Sequence, residues 1–171
     1  EWNANMNLVN YWTVWTGGNI TTSSLSTGML RGGPMMKLPG NVNVRLGVNT
    51  DYRKKLVLDA SVNLSRGYQN YSNDLNTQIG LTYKPTNWLV ISVSPAFSKS
   101  FSELQYVSQT EYMGTDRYIF ASIDRKTIST SLRVNLNISP NITFQYWGQP
   151  FVATGTYYDY KFVREPMAAN Y

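Results

Sequence analysis

Residues 126–150 read KTISTSLRVNLNISPNITFQYWGQP and alternate two kinds of side chain with almost no lapse. Ile128, Thr130, Leu132, Val134, Leu136 and Ile138 share one parity; Thr127, Ser129, Ser131, Arg133, Asn135 and Asn137 share the other. After Ser139-Pro140-Asn141 the pattern resumes, with Ile142, Phe144 and Tyr146 against Thr143, Gln145 and Trp147. A period of two predicts strand, and a short Pro/Asn break between two such runs predicts a hairpin. The resulting sheet has a greasy face and a polar face, and alternation alone does not say which of them meets water.

Length narrows the choice. The run from Thr127 to Ile138 would span about 40 Å at ~3.3 Å per residue, or nearly 30 Å along the membrane normal if tilted by about 45°. That is close to the thickness of a hydrocarbon core, whereas soluble strands typically run about 5–6 residues. The same alternation recurs in Leu56, Leu58, Ala60, Val62 and Leu64 against Val57, Asp59, Ser61, Asn63 and Ser65. It returns in Leu89, Ile91 and Val93 against Val90, Ser92 and Ser94.

Alternation marks eight segments: Trp2–Asn10, Tyr11–Thr21, Asn41–Thr50, Lys55–Gly67, Thr77–Lys84, Trp88–Ser100, Arg117–Ile138 and Asn141–Val163. None has helical periodicity. Tight connections near Asn10-Tyr11, Asp51–Lys54, Lys84–Asn87 and Ser139–Asn141 alternate with long ones at Thr22–Gly40, Tyr68–Asn76 and Phe101–Asp116. In an up-and-down meander this sorts the tight turns to one end and the long loops to the other, as in outer-membrane barrels. A Greek-key sandwich has no reason to sort its loops this way. Tyr11, Trp12, Tyr52, Tyr83 and Trp88 flank the tight turns, where Trp and Tyr rings favour a bilayer interface. Tyr68, Tyr71, Tyr106, Tyr112, Tyr118, Tyr157, Tyr158 and Tyr160 gather toward the other end as a second girdle. Pro95 and Pro150 fall on the apolar parity, where each removes a ladder donor and implies a bulge or an edge. The expected fold is all-β: an antiparallel up-and-down transmembrane barrel, with residues 1–171 forming one segment of it.

Composition agrees with one hydrated and one greasy face. Of 171 residues 42 % are hydrophobic, yet only 15 % are charged and mean hydropathy is −0.33. Soluble domains carry about 25 % charged residues, so the polar surface here is built from Asn, Ser, Thr, Gln and Gly. The absence of Cys removes disulfides and thiolate metal sites; the absence of His removes the commonest general base and metal ligand. A Ser–His arrangement is impossible, and Glu103, Glu111, Asp116, Asp124 and Asp159 show no spacing that argues for glycoside hydrolysis. No enzymatic activity and no cofactor are expected. Net charge is +5, but Lys and Arg are scattered apart from Arg53-Lys54-Lys55, which reads as a solvated turn or a contact with lipid phosphates. Aromatics and cations do not share a face, so nucleic acid is not an expected partner. No apolar run approaches the length of a membrane helix.

On the polar parity stand Arg45, Asp59, Arg133 and Gln145, with Arg66 near the outer mouth. If the Asp51–Arg53 turn is short, Arg45 and Asp59 face each other across neighbouring strands. Such a pair either neutralises a packed interior or, in a pore, sets selectivity. Arg31-Gly32-Gly33-Pro34 can be read as an anion nest, but it lacks the Lys-Ser/Thr and helix of a P-loop. A loop folded inward or packed on a partner is the plainer reading.

Three stretches carry a resemblance: MLRGGPMMKLPGNVNVRLGVNTDYRKKL (Met29–Leu56), SELQYV (Ser102–Val107) and DRYIFASIDRKTISTSLRVNLNISPNITFQYWGQPFVATGTY (Asp116–Tyr157), with the tail through REP. The chain resembles a family of large outer-membrane proteins of Bacteroidota whose C-terminal region is a domain of unknown function predicted to be a barrel. Members usually place a carbohydrate-binding-like domain ahead of it. The resemblance implies a bacterial outer-membrane location, contact with lipid, and other outer-membrane or periplasmic proteins as partners. The family continues into further strands where this sequence ends in MAANY, so a piece of a larger barrel is expected, with a self-contained eight-strand barrel as the structural alternative. The expected role is anchoring or scaffolding within an envelope complex. Its rivals are a channel passing a small solute and a soluble carbohydrate-binding sandwich.

Overall fold

The computed structural model describes residues 1–168; the terminal aromatic Tyr171 and most of the polar tail lie outside them. The described chain is all-β and antiparallel, with one short 3-10 turn as its only helical element. Its strands are β1 (Trp2–Asn7), β2 (Thr13–Thr21), β3 (Ser24–Ser26), β4 (Met36–Leu38), β5 (Asn41–Asn49) and β6 (Leu56–Gly67). They continue as β7 (Ser72–Thr86), β8 (Leu89–Tyr112), β9 (Thr115–Ser139), β10 (Ile142–Gly148) and β11 (Phe151–Phe162).

One sheet runs β1-β2-β5-β6-β7-β8-β9, and both β10 and β11 pair with β9 in series along its length. The register of β10 carries on into β11 (Gly148 opposite Leu132, Phe151 opposite Ser129), and Thr130 N–H donates to the Pro150 carbonyl at 3.1 Å. Pro150 thus interrupts a strand without slipping it. At Pro95 the β7–β8 ladder skips from Gln78–Ala96 to Leu81–Val93, again in the same register. Both prolines therefore cost ladder pairs rather than creating the expected bulges, because a missing N–H removes bonds but shifts no residue. No ladder joins β1 to β10 or β11 among the described residues, so the sheet is open.

Every register shift lies toward the ends of the strands: Tyr83/Thr86 and Ile142/Thr143 at the tight turns, and Ser102/Gln105, Tyr106/Ser108 and Tyr158/Lys161 at the other end. Between them the apolar parity stays on one face across the whole sheet. One row runs Met6, Val14, Val48, Ala60, Ile79; others run Leu58, Leu81, Val93, Leu132 and Tyr83, Ile91, Val134, Tyr146. A one-residue slip anywhere would send the apolar set to the opposite face, so unbroken register keeps the band continuous. Thr16 and Thr77, on this face, donate their hydroxyls to the carbonyls of Arg45 and Phe97 and so hide their polarity.

No second sheet covers the band: the remaining one, β3–β4, has three residues per strand. A sandwich needs two facing layers, so that architecture is absent from the described residues. The accessible area is 11609 Å², against about 8,500 Å² for a compact protein of 19.5 kDa.

Two of the three expected long loops are not loops. Tyr68–Asn70 is a 3-10 turn, and β7 already begins at Ser72; Gln69 and Asn70 make the reversal with positive φ (60° and 59°). Phe101–Asp116 belongs to β8 and β9, which run 24 and 25 residues and meet in a two-residue turn, Met113-Gly114, with φ of 51° and 75°. Left-handed values at both turn residues match the twist of a hairpin. The Thr22–Gly40 loop is real, with β3 and β4 inside it.

That loop folds onto the outer half of the β8–β9 hairpin and makes the buried core. Leu30 and Met36 pack with Leu104, Tyr118 and Phe120, and Phe120 is only 1 % exposed. The Tyr106 ring meets Phe120 edge-on at 5.8 Å, and Lys37 N–H donates to the Pro166 carbonyl. Tyr71, Tyr106 and Tyr118 thus belong to this head rather than to a second aromatic girdle.

Candidate functional site

The polar face is stitched by side chains. Asn43 donates to Asn63 (2.6 Å), Ser98 to Asn76 (2.6 Å), and the Thr82 and Ser92 hydroxyls meet at 3.0 Å. Cross-strand pairs of this kind are the unit of sheet stabilisation, and they hold the strands without apolar contact. Among them opens a cavity of about 380 Å³ lined by Trp15, Arg45, Asn63, Asn76, Gln78 and Ser98. The Trp15 indole lies against Gly47, where any Cβ would overlap it, so glycine is required for the ring to lie down on the strand.

Arg45, Asp59, Arg133 and Gln145 all lie on this face, but they do not converge. Arg45 stands opposite Asn63, and Asp59 opposite Asn49. The expected Arg45–Asp59 pair does not form, because the β5–β6 ladder is centred on Lys54 rather than Tyr52. Residues 51–55 form the turn, and Thr50 N–H still bonds the Leu58 carbonyl at 2.8 Å. Arg45 reaches Glu1 instead, at 4.0 Å. Asp59 packs over Gly80, where a larger residue would collide with its carboxylate. Arg133 stands opposite Trp147 on one side and Ser92 on the other, and Gln145 opposite Asn135. Arg66 lies near the opposite end, as expected, and donates to Asn70 at 2.7 Å; its ladder partner Val42 puts it on the apolar parity.

Arg31-Gly32-Gly33-Pro34 does not form an open nest. Arg31 N–H donates to Gly28 and Gly33 N–H to Leu30, both at 3.1 Å, so these amides are spent within the loop. Arg31 (φ 47°) and Gly32 (φ 107°) make the turn; the Arg31 guanidinium covers the Tyr106 ring at 4.7 Å. At Gly33 a Cβ would sit 2.5 Å from the Tyr118 ring, so this glycine exists to let the loop close on the hairpin. The motif is packing.

Tyr11, Trp12, Tyr52, Tyr83 and Trp88 all sit at the tight-turn end with exposed rings. Sequence reasoning missed what joins two of these turns. Arg53 grips the buried Asp51 carboxylate with Nε at 2.9 Å and Nη2 at 3.0 Å, and lies 3.5 Å over the Tyr11 ring. The Arg53 bonds hold the Asp51 carboxyl down to about 2, against the opposing effect of burial. Asp-x-Arg in a turn was a legible signal for such a clasp. In the head, Tyr158 donates its hydroxyl to Asp124 at 2.8 Å, which raises the phenol above its ordinary range, and Lys161 pairs with Glu103 at 3.3 Å. Among the described residues no three acidic side chains converge as a metal site.

Residues 1–166 match the family described as a domain of unknown function, DUF5916. No curated protein matches the chain, and no solved structure does. The chain belongs to the DUF5916 family.

Proposed function

We propose that this DUF5916 chain forms part of the wall of a β-barrel in a bacterial outer membrane, as an anchoring or scaffolding subunit of an envelope complex. The observation that carries this is the apolar band, which crosses eight strand positions in one register and is covered by no protein layer. The chain can bury apolar side chains where it needs to, as its head core shows, so an uncovered band calls for an apolar solvent. From Ile128 to Ile138 the band is about 33 Å long at ~3.3 Å per residue, or about 23 Å high when tilted, close to the apolar belt of outer-membrane barrels. The rim of exposed Tyr and Trp at the tight turns supports the same reading.

The subunit role rests on the two open edges. Unpaired N–H and C=O groups are not tolerated in lipid, so β1 and β10–β11 need further strands beside them. The channel reading has one observation in its favour, the polar-face cavity around Trp15 and Arg45.

The test is quenching by brominated lipids after reconstitution into vesicles, using single-Trp variants. Trp2 lies on the apolar face and Trp88 at its rim, whereas Trp15 and Trp147 lie on the polar face. Strong, depth-dependent quenching at Trp2 and Trp88 with weak quenching at Trp15 and Trp147 is expected. Equal and weak quenching at all of them would sink the membrane reading.

A further inference from the structure

At the tight-turn end the β5–β6 and β7–β8 turns enclose a cavity of about 310 Å³ lined by Arg53, Lys54, Lys55, Lys84, Thr86 and Asn87. We propose that it is a binding site for a small phosphate-bearing anion on the aqueous side of the sheet.

Three features argue for a built site rather than a solvated turn. First, Lys84 N–H donates to the Lys55 carbonyl at 2.7 Å, one step beyond the Leu56–Tyr83 ladder pair. The two lysines are therefore direct cross-strand neighbours, an arrangement that costs stability unless an anion lies between them. Second, no carboxylate lines the cavity. Asp51, in the same turn, is held by Nε and Nη2 of Arg53, and among the described residues Lys54, Lys55 and Lys84 form no ion pair with a carboxylate. Third, the ladder shifts between Tyr83 and Thr86, and bulges of this kind re-aim side chains. The Lys84 ammonium is fixed there by one bond to the Tyr52 carbonyl at 2.9 Å, leaving further N–H donors for a ligand.

The chemistry selects the ligand. Lysine ammonium groups act as point charges toward phosphate oxygens, and Thr86 and Asn87 add neutral donors. The alternation that puts Val57 and Asp59 on the polar face puts Lys55 there too, and Val90 at the cavity wall pairs with polar-face Asn135. A soluble anion is favoured over a lipid headgroup for that reason.

The experiment is isothermal titration of inorganic pyrophosphate into the whole chain in a nonionic detergent. Saturable binding is expected, weakened about tenfold or more by Lys84→Met and by Lys55→Met, the loss of one charge-assisted hydrogen bond. Lys55→Met guards against misfolding, since the Lys55 side chain has no bonding partner among the described residues. Lys99→Met, an exposed lysine on the apolar parity, should leave binding unchanged. Absence of saturable binding at millimolar pyrophosphate overturns the proposal, as does equal weakening by Lys99→Met. Binding to phosphatidylglycerol vesicles with none to pyrophosphate also overturns it, in favour of a lipid site. The result is independent of the lipid-quenching test, so either proposal can fail without the other.

Discussion

Asp51 shows how one buried carboxylate organises a rim of otherwise exposed side chains. It is 4 % exposed, yet it carries its charge because Arg53 meets it with two guanidinium bonds and its own backbone N–H at 3.0 Å. Arg53 in turn covers Tyr11 from the β1–β2 turn, so one residue links two turns that share no ladder pair. The pH dependence follows from the sign of the shift. Asp51 sits at about 2 in the folded chain, below the about 3.9 of an unfolded Asp. Its contribution is therefore complete above about pH 4 and lost as pH falls toward 2. Asp51→Asn should lower the melting temperature in detergent at neutral pH, and the gap to the wild type should close between pH 4 and 2. A gap that stays constant across that range would mean the carboxylate charge contributes nothing to the clasp.

The strands make their claim through parity. Leu132 and Ser131 are chain neighbours, but Leu132 lies mid-band opposite Val93, and Ser131 opposite Ser94 on the polar face. Leu132→Arg should cost about 2–4 kcal/mol in a bilayer, the range for a cation at the midplane of a barrel's lipid face. Ser131→Arg should cost about 0.5 kcal/mol or less, as a hydrated substitution does. Urea unfolding from vesicles measures both. Equal costs would show that the two faces have the same surroundings. The same parity explains what could be read from the sequence. Residues 126–150 and 56–65 were legible because one face is uniformly apolar and the register never slips. Residues 101–116 were not, because apolar and polar residues mix on both parities (Phe101 and Val107 with Glu103 and Gln105; Leu104 and Tyr106 with Ser102 and Ser108) and two bulges break the phase, at Ser102/Gln105 and Tyr106/Ser108. Their strand pairing is held by ladder bonds and by the loop packed on them, which periodicity does not record. Arg45 and Asp59 were placed on the right face but in the wrong register, since a turn centred two residues later moves the partner by four.

At the scale of the molecule the proposed barrel turns on how the open sheet would close. Eight strand positions suffice in principle for a small barrel filled by its own side chains. Among the described residues the edge strands do not meet: β1 pairs only with β2, and β10–β11 only with β9. The polar face also carries bulky groups, Trp15, Arg45, Arg133, Gln145 and Trp147, together with two cavities, more than a narrow interior would need. Further strands between the two edges relieve both problems, since diameter grows with strand number. The chain has no cysteine, so a designed pair reports on one contact alone. Asn5 lies on the polar parity of β1 and Gln145 on that of β10. With Asn5→Cys combined in turn with a cysteine at each polar-parity position of β10 and β11, direct closure of β1 on that edge would bring one such pair within disulfide reach, a Cα separation of about 4.4–6.8 Å. The expected outcome after oxidation in vesicles is no intramolecular disulfide on a non-reducing gel, because intervening strands hold the edges apart at about 4.8 Å per strand. A rapid, complete intramolecular link would show that these eight positions close on themselves, and the larger barrel would have to be abandoned.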